Sequence, residues 1–482
     1  MTILQAHPPG QSTLPSANPT ASFWLSDPSR ILLGHRTTPR LPQTADVVIV
    51  GSGIAGAFAA HFLAEDEDSK DLDVVMLEAR EVSSGATGRN GGHCQPKLYS
   101  KSTHLARFEL ANLNFLRKLV EDHRIPCEWQ DVAGCRAYMT DAMFAAAVAD
   151  VERLWREDAQ MGSSVRHVSD RKQLKQMRLG SEVAGAIVQT RAATLWPYKL
   201  IAWVLESLLK TKPAGLDSTR GTFNLQTNTP VNTVQRLHDG SCCIHTPRGM
   251  LVTRQVLLAT NAYTSHLLPK FSDLIVPVRG QMGALIPPLS MNDDGPLAGR
   301  NSYDFLGNGT QSSDKDEYLM QRPWSPLQQR GGELMLGGGR RFAAHQGVGV
   351  SDDSQIDDST RDYLRDALNV VLDLGNEGEP LGANYEWSGI MGFSRDSAPW
   401  VGQVPQTLGG ASGLWLCAGF TSHGMPNACL SARAAVREMM GHLVEDSELP
   451  PEFRITSERI ENARQLFEVR KALALGAVPD QI

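Results

Sequence analysis

No stretch of this chain is long and apolar enough to cross a bilayer, and the N-terminus lacks the basic-then-apolar order of a secretory leader. Basic residues are nowhere gathered: 46 Lys and Arg face 53 Asp and Glu, a formal net charge of -7. That balance argues against nucleic acid or an anionic membrane as the main partner. Cysteine is scarce and unpatterned. The seven (Cys94, Cys127, Cys135, Cys242, Cys243, Cys417 and Cys429) are odd in number and contain no C-x-x-C pair, so neither a zinc or other metal centre nor a disulfide framework is expected. Adjacent on a strand, Cys242 and Cys243 point to opposite faces and read as packing rather than a redox pair. Reduced thiols and no leader imply a cytoplasmic protein, and the C-terminal Pro-Asp-Gln-Ile is no peroxisomal address.

What is present is organised around residues 45–56, ADVVIVGSGIAG. Val47 to Val50 form an apolar run that predicts a strand covered on both faces. It enters Gly51-Ser52-Gly53-Ile54-Ala55-Gly56, the G-x-G-x-x-G pattern, and then an alanine-rich helix. Gly51 permits the tight turn, Gly53 the approach of a pyrophosphate and Gly56 the packing of helix on strand. The helix N-terminus offers unpaired N–H groups to phosphate. A second strand, Leu72 to Leu77, ends in Glu78-Ala79-Arg80, roughly 20 residues beyond the last glycine. An acid there accepts from ribose hydroxyls and repels a 2′-phosphate, so a dinucleotide without that phosphate is expected.

At 482 residues the chain can bury a large core and divide into two domains around one cofactor. Residues 1 to about 20, rich in Pro, Ser, Thr and Gln, read as a disordered arm, followed by a strap containing Phe23 and Trp24. After Glu78 comes AREVSSGATGRNGGHCQP, whose glycines exclude a helix or core strand. Gly85, Ala86, Gly91 and Gly92 allow close backbone approach there, and Arg89 and Asn90 offer donors. Helical spacing is expected over 101–120, 142–161, 198–210 and 359–374, and strand alternation over 222–226, 231–237, 241–246 and 249–253. Further strands are predicted at 255–263, 276–283, 318–322, 333–339 and 413–418, the last followed by Gly419-Phe420-Thr421-Ser422-His423-Gly424-Met425-Pro426 and a helix of small residues. The chain is therefore α/β (α+β overall). The acidic run Asp352 to Asp358 reads as a solvated loop.

GSGIAG with Glu78, GATGRNGG, LLATNAY, SRDSAPWVG and AGFTSHGM together resemble the FAD-dependent D-amino acid oxidase/glycine oxidase superfamily. Amine oxidases with a GRNGG loop, of the gamma-glutamylputrescine oxidase type, look nearest. The resemblance covers most of residues 45–440. It implies non-covalent FAD between a Rossmann-like domain (45–100, 190–275, 390–482) and a mixed-sheet substrate domain (101–189, 276–389), after an arm over 1–44. It also implies hydride transfer from the carbon beside an amine nitrogen to flavin N5, and electron delivery to oxygen or another acceptor. Carried over by position, Gly51 to Gly56, Glu78, Ala79, Arg80, Gly85, Ala86, Arg89, Asn90, Gly91, Gly92, Val231, Asp396, Gly419, His423, Gly424 and Met425 would hold the cofactor. Met335, His423 and Trp387 would stand at its reactive end.

The departures from the family pattern bear on substrate. Met391 stands where relatives carry an arginine for a carboxylate, and Pro426 where others carry a lysine. Arg395 is expected to pair with Asp396. Met335 appears in place of a lysine that speeds reoxidation, which predicts a slow oxygen step. Poor activity on simple amino acids and better activity on larger apolar amines follow as expectations. A flavin monooxygenase, a dehydrogenase in a specialised pathway and a non-catalytic flavoprotein remain as alternatives; for the monooxygenase, a second G-x-G-x-x-G after a strand is missing.

Overall fold

The computed structural model describes residues 10–213, 221–288, 297, 301–307, 316–324, 331–376 and 378–474, with side chains to 466. The first nine residues of the expected arm and the C-terminal tetrapeptide lie outside them. Two sheets dominate, of eight and nine strands.

In the first sheet the strand order is Trp400–Gln403, Leu414–Ala418, Gly249–Leu258, Thr44–Val50, Val74–Leu77, Phe223–Gln226. All neighbours but the first pair run parallel. Val47 to Val50 are buried, as a strand covered on both faces requires. Gly51 turns the chain at φ +107°, a conformation that only glycine adopts freely. The helix Ile54–Glu65 then packs on Ala428–Met439. Both are rich in alanine at the contact, so the two backbones approach closely. Hydrophobic stretches 249–253 and 255–263, expected as separate strands, form one strand Gly249–Leu258 that turns into short helix at Asn261.

The second sheet runs Ala383–Ser394, Ile275–Leu285, Leu334–Gly337, Tyr318–Gln321, Asn301–Leu306, Gln130–Tyr138, Gly185–Thr194, His93–Cys94. The helix Thr103–His123 lies beside it, buried on one face through Phe108, Leu113, Leu116 and Leu119. That buried face also carries Glu109 and Asn112, both without exposed surface.

The expected loose arm is packed from Gly10 onward. Ser12, fully buried, bonds Ser265 at 2.8 and 3.0 Å, and Thr20 N donates to Asp353 O at 2.8 Å. Trp24 has no exposed surface and donates Nε1 to Asn90 O at 2.6 Å. The segment thus finds hydrogen-bond partners on two distant parts of the chain, which composition does not reveal.

Candidate cofactor and substrate site

A cavity of about 550 Å³ is lined from both sheets. From the first come Gly51, Ser52, Gly53, Ile54, Ala55, Glu78, Ala79, Arg80 and Val231, and from the loop after Glu78 come Gly85, Ala86, Arg89, Asn90 and Gly91. His423, Gly424, Met425 and Pro426 close another side, and Met282, Tyr318, Arg340 and Met391 line it from the second sheet. Most of the residues that sequence reading assigned to a cofactor thus share one wall, although they come from segments far apart in the chain.

The wall fits a dinucleotide. A Cβ on Gly53 would meet nothing but the Thr87 side chain, its hydroxyl at 3.0 Å, and would otherwise point to open space. Glu78 is held in place: Oε2 accepts from Ser52 N and Oγ at 3.0 and 2.6 Å, and Oε1 from Arg80 N at 2.9 Å. The Tyr263 hydroxyl, also on the wall, is buried with no protein partner among the described residues. A buried orphan hydroxyl calls for a polar partner, which a bound ligand or water would supply.

Six assigned residues do not line the cavity. Gly56 serves packing instead, since a Cβ there would sit 1.9 Å from Gly51 O. Gly92, at φ +72°, makes room for the Trp24 ring, which an added Cβ would meet at 2.5 Å. Gly419 faces Ile275 and Trp400. Asp396 is held by Arg459 at 2.7 and 3.1 Å, whereas Arg395, its expected partner, donates Nε to Asp273 O at 2.8 Å. Met335 pairs across the sheet with Ala284 and Met320 and belongs to the same buried cluster as Trp387, Phe23 and Trp24. Neither Met335 nor Trp387 lines the cavity. Trp387 donates Nε1 to Arg89 O at 2.9 Å, a structural contact.

Arg89 lines the wall, but its guanidinium is spent on protein: Nε donates to Ser84 O, Nη1 to Thr20 Oγ1 and Ser388 O, and Nη2 to Thr20 O. Beside it lies Asp353, a fully buried member of the run read as a solvated loop. Arg80 and Arg89 supply the countercharge that makes its burial affordable.

Further polar residues line the wall, and of these Gln95, Lys97, Arg136 and Asp304 escaped sequence reading. Arg136 Nε donates to Asp304 Oδ2 at 3.0 Å, and Gln95 Nε2 to the same oxygen at 3.3 Å. His93 Nδ1 bonds Ser302 Oγ at 2.7 Å, and its ring lies against Tyr318. Arg340 pairs with Asp316 at 3.2 Å. Lys97 has no ion-pair partner among the described residues. Burial, with Arg136 and Lys101 nearby, pushes its ammonium down to about 8. His423 Nε2 lies 2.9 Å from Glu109 Oε2, and burial pushes the imidazole down to about 4. Burial opposes ionisation of Glu109, but His423 and Lys101 hold its carboxyl well below the usual range. The signal for Glu109 was available: an acid three residues after Ala106 and four before Leu113 sits on the apolar face of a helix.

Comparison with known proteins agrees with this geometry. A family model described as FAD dependent oxidoreductase (DAO) matches residues 46–438. The probable oxidoreductase OrdL of Haemophilus influenzae is 23% identical over 418 residues, covering 83% of this chain and 84% of that protein. Gamma-glutamylputrescine oxidoreductase of Escherichia coli is 24% identical over 232 residues, 46% of this chain and 50% of that protein. The crystal structure of glycine oxidase from Geobacillus kaustophilus superposes with a TM-score of 0.65 at 18% identity, covering 86% of this chain and 99% of that one.

Proposed function

The chain belongs to the DAO family of FAD-dependent oxidoreductases, and on that premise we propose that it oxidises the C–N bond of an amine or amino-acid-like small molecule. The observation that carries this reading is the single cavity joining the glycine turn and Glu78 to a polar recess with Lys97, the Arg136–Asp304 pair and His423. FAD is the cofactor. The chemistry it supplies when bound is acceptance of a hydride from the carbon beside nitrogen, with later delivery of electrons to oxygen or another acceptor.

In this reading Gly51 to Ala55, Glu78, Val231 and Tyr263 would hold the ADP part, and the backbone of residues 89–91 with Gly424 and Met425 the ring. Residues 45–100, 190–275 and 390–482 hold cofactor, and 101–189 with 276–389 shape the substrate recess. The protein's own part is orientation and electrostatics. Lys97 offers a cation that makes no direct ion pair among the described residues, although Glu109 and Asp304 lie near enough to act on it, and Met391 and Tyr318 supply apolar surface. All seven cysteines are buried and unpaired, which supports the proposed cytoplasmic location.

The test is a panel of primary and secondary amines and amino acids on the yellow holoprotein. Anaerobic bleaching of the flavin and peroxide release in air are measured together. Bleaching by at least one amine is expected; a flavin that none of them reduces overturns the reading.

A further inference from the structure

Glu109 is an unusual residue to find inside a protein. It has no exposed surface, yet it lies on the apolar face of the helix Thr103–His123. Its carboxylate is saturated by four donors. Oε2 receives Lys97 N at 2.6 Å and His423 Nε2 at 2.9 Å, and Oε1 receives Lys101 Nζ at 2.8 Å and Asn427 Nδ2 at 3.2 Å. A carboxylate accepting four hydrogen bonds carries no proton of its own, so it acts only as an acceptor. The contact with His423 therefore requires the imidazole to donate, which puts its hydrogen on Nε2. In the neutral ring Nδ1 is then a bare acceptor. Among the described residues no protein group pairs with Nδ1, and the side chain, 17% exposed, lines the cavity.

We propose that Glu109 is the positioning residue for His423: it fixes the ring and its tautomer so that Nδ1 takes a proton from the ammonium group of the substrate. The proposal rests on the amine-oxidising reading above. An amine bound as its ammonium form has no nitrogen lone pair with which to assist departure of hydride from the neighbouring carbon. Transfer of one N–H proton to Nδ1 breaks that bond, frees the lone pair and leaves an imidazolium. No electrons leave the substrate in this step. The new positive charge is met by Glu109 on the far side of the ring. Lys97 and Lys101, the two cations facing the same pair, oppose it and favour the neutral ring beforehand. Asn427 holds both partners, donating Nδ2 to Glu109 and to His423 O at 2.9 Å. The arrangement is a base oriented by an acid, with the acid on another element of the fold.

Two measurements on the FAD-loaded protein test it. The first needs no substrate: ¹⁵N NMR of the histidine-labelled holoprotein, with the His423 signal assigned by its loss in H423N. The expected signature is a protonated Nε2 and a bare Nδ1 at neutral pH in wild type, and a mixture of tautomers in E109Q. The second is the pH dependence of the anaerobic flavin-reduction rate, kred, with the amine of the panel that bleaches flavin fastest. Replacing the carboxylate by an amide removes the anion that favours imidazolium. The acid limb of kred should then move to lower pH and its plateau should fall by roughly a hundredfold. The substrate's apparent Kd should change far less. E109D, which keeps the charge, should recover part of the plateau and the wild-type tautomer.

An Nδ1–H tautomer in wild type would overturn the proposal, as would an E109Q enzyme with tautomer and acid limb both unmoved. A fall in kred or in flavin content without either movement marks Glu109 as merely structural and overturns it too. If no amine reduces the flavin, the functional reading and the proton-acceptor role fall together, while the NMR alone decides whether Glu109 sets the ring.

Discussion

Arg80 Nη1 donates to both oxygens of Asp353, at 2.9 and 3.0 Å, and the carboxylate has no exposed surface. Arg89 stands at 3.3 Å from the same acid, and Arg80 Nη1 also reaches Ser16 O at 3.2 Å. One buried acid thus joins the end of the second strand, the loop that follows it and the N-terminal segment. D353N leaves two buried guanidinium groups short of their countercharge. Removing one partner of such a cluster costs about 3–5 kcal/mol. Denaturant titration of the holoprotein should show that loss; a change under about 1 kcal/mol, as for an exposed pair, would contradict the buried-clamp reading.

Two glycines of one motif should fail in different ways. Gly53 has space around its missing Cβ apart from the Thr87 side chain, so G53V should fold but purify colourless because its side chain occupies phosphate space. Gly56 faces Gly51 O, so G56V should fail to fold. Flavin absorbance per protein and circular dichroism separate the two outcomes. A yellow G53V protein would sink the cofactor placement.

Lys97 makes carboxylate recognition testable, and it reopens what Met391 and Pro426 seemed to close. A lysine whose ammonium titrates at about 8 is a cation below that pH and neutral above it. Affinity for carboxylate ligands should therefore be highest below pH 8 and fall as the pH rises through it. Titration of the holoprotein with benzoate and with benzamide, followed by the flavin spectrum, gives the comparison. K97M should weaken benzoate by roughly 2–5 kcal/mol, flatten its pH dependence and spare benzamide. Equal effects on both ligands would exclude an ionic role.

Acid precipitation should release the flavin into the supernatant. Cys94 is fully buried and off the cavity wall, and His93, though on it, has Nδ1 bonded to Ser302. Colour retained in the pellet would show a covalent link instead.

The strand, glycine turn, helix and acid of residues 45–78 were legible in the sequence because each is a local rule. A strand covered on both faces is an apolar run, a φ of +107° asks for glycine, and an acid at the end of the next strand follows from the repeat length of the unit. Val231 and the His423-Gly424-Met425 turn came from resemblance, and they reach the same cavity. The assigned residues that do not line the cavity are ones where position in a motif stood in for position in space. Met335 has the right strand, but it does not line the cavity and belongs to a buried cluster that draws in Phe23 and Trp24 from some three hundred places earlier in the chain. Gly92 looked like a flavin contact and instead admits an indole. Asp353 looked solvated because three acids stand close by, while its two arginines lie more than 260 residues away. Local propensity and pattern therefore determined the cofactor fold. Which charges are paired, which cation is left over and which acid backs His423 were decided by long-range packing. The energy of a buried charge depends on neighbours that only the folded chain brings within hydrogen-bonding distance.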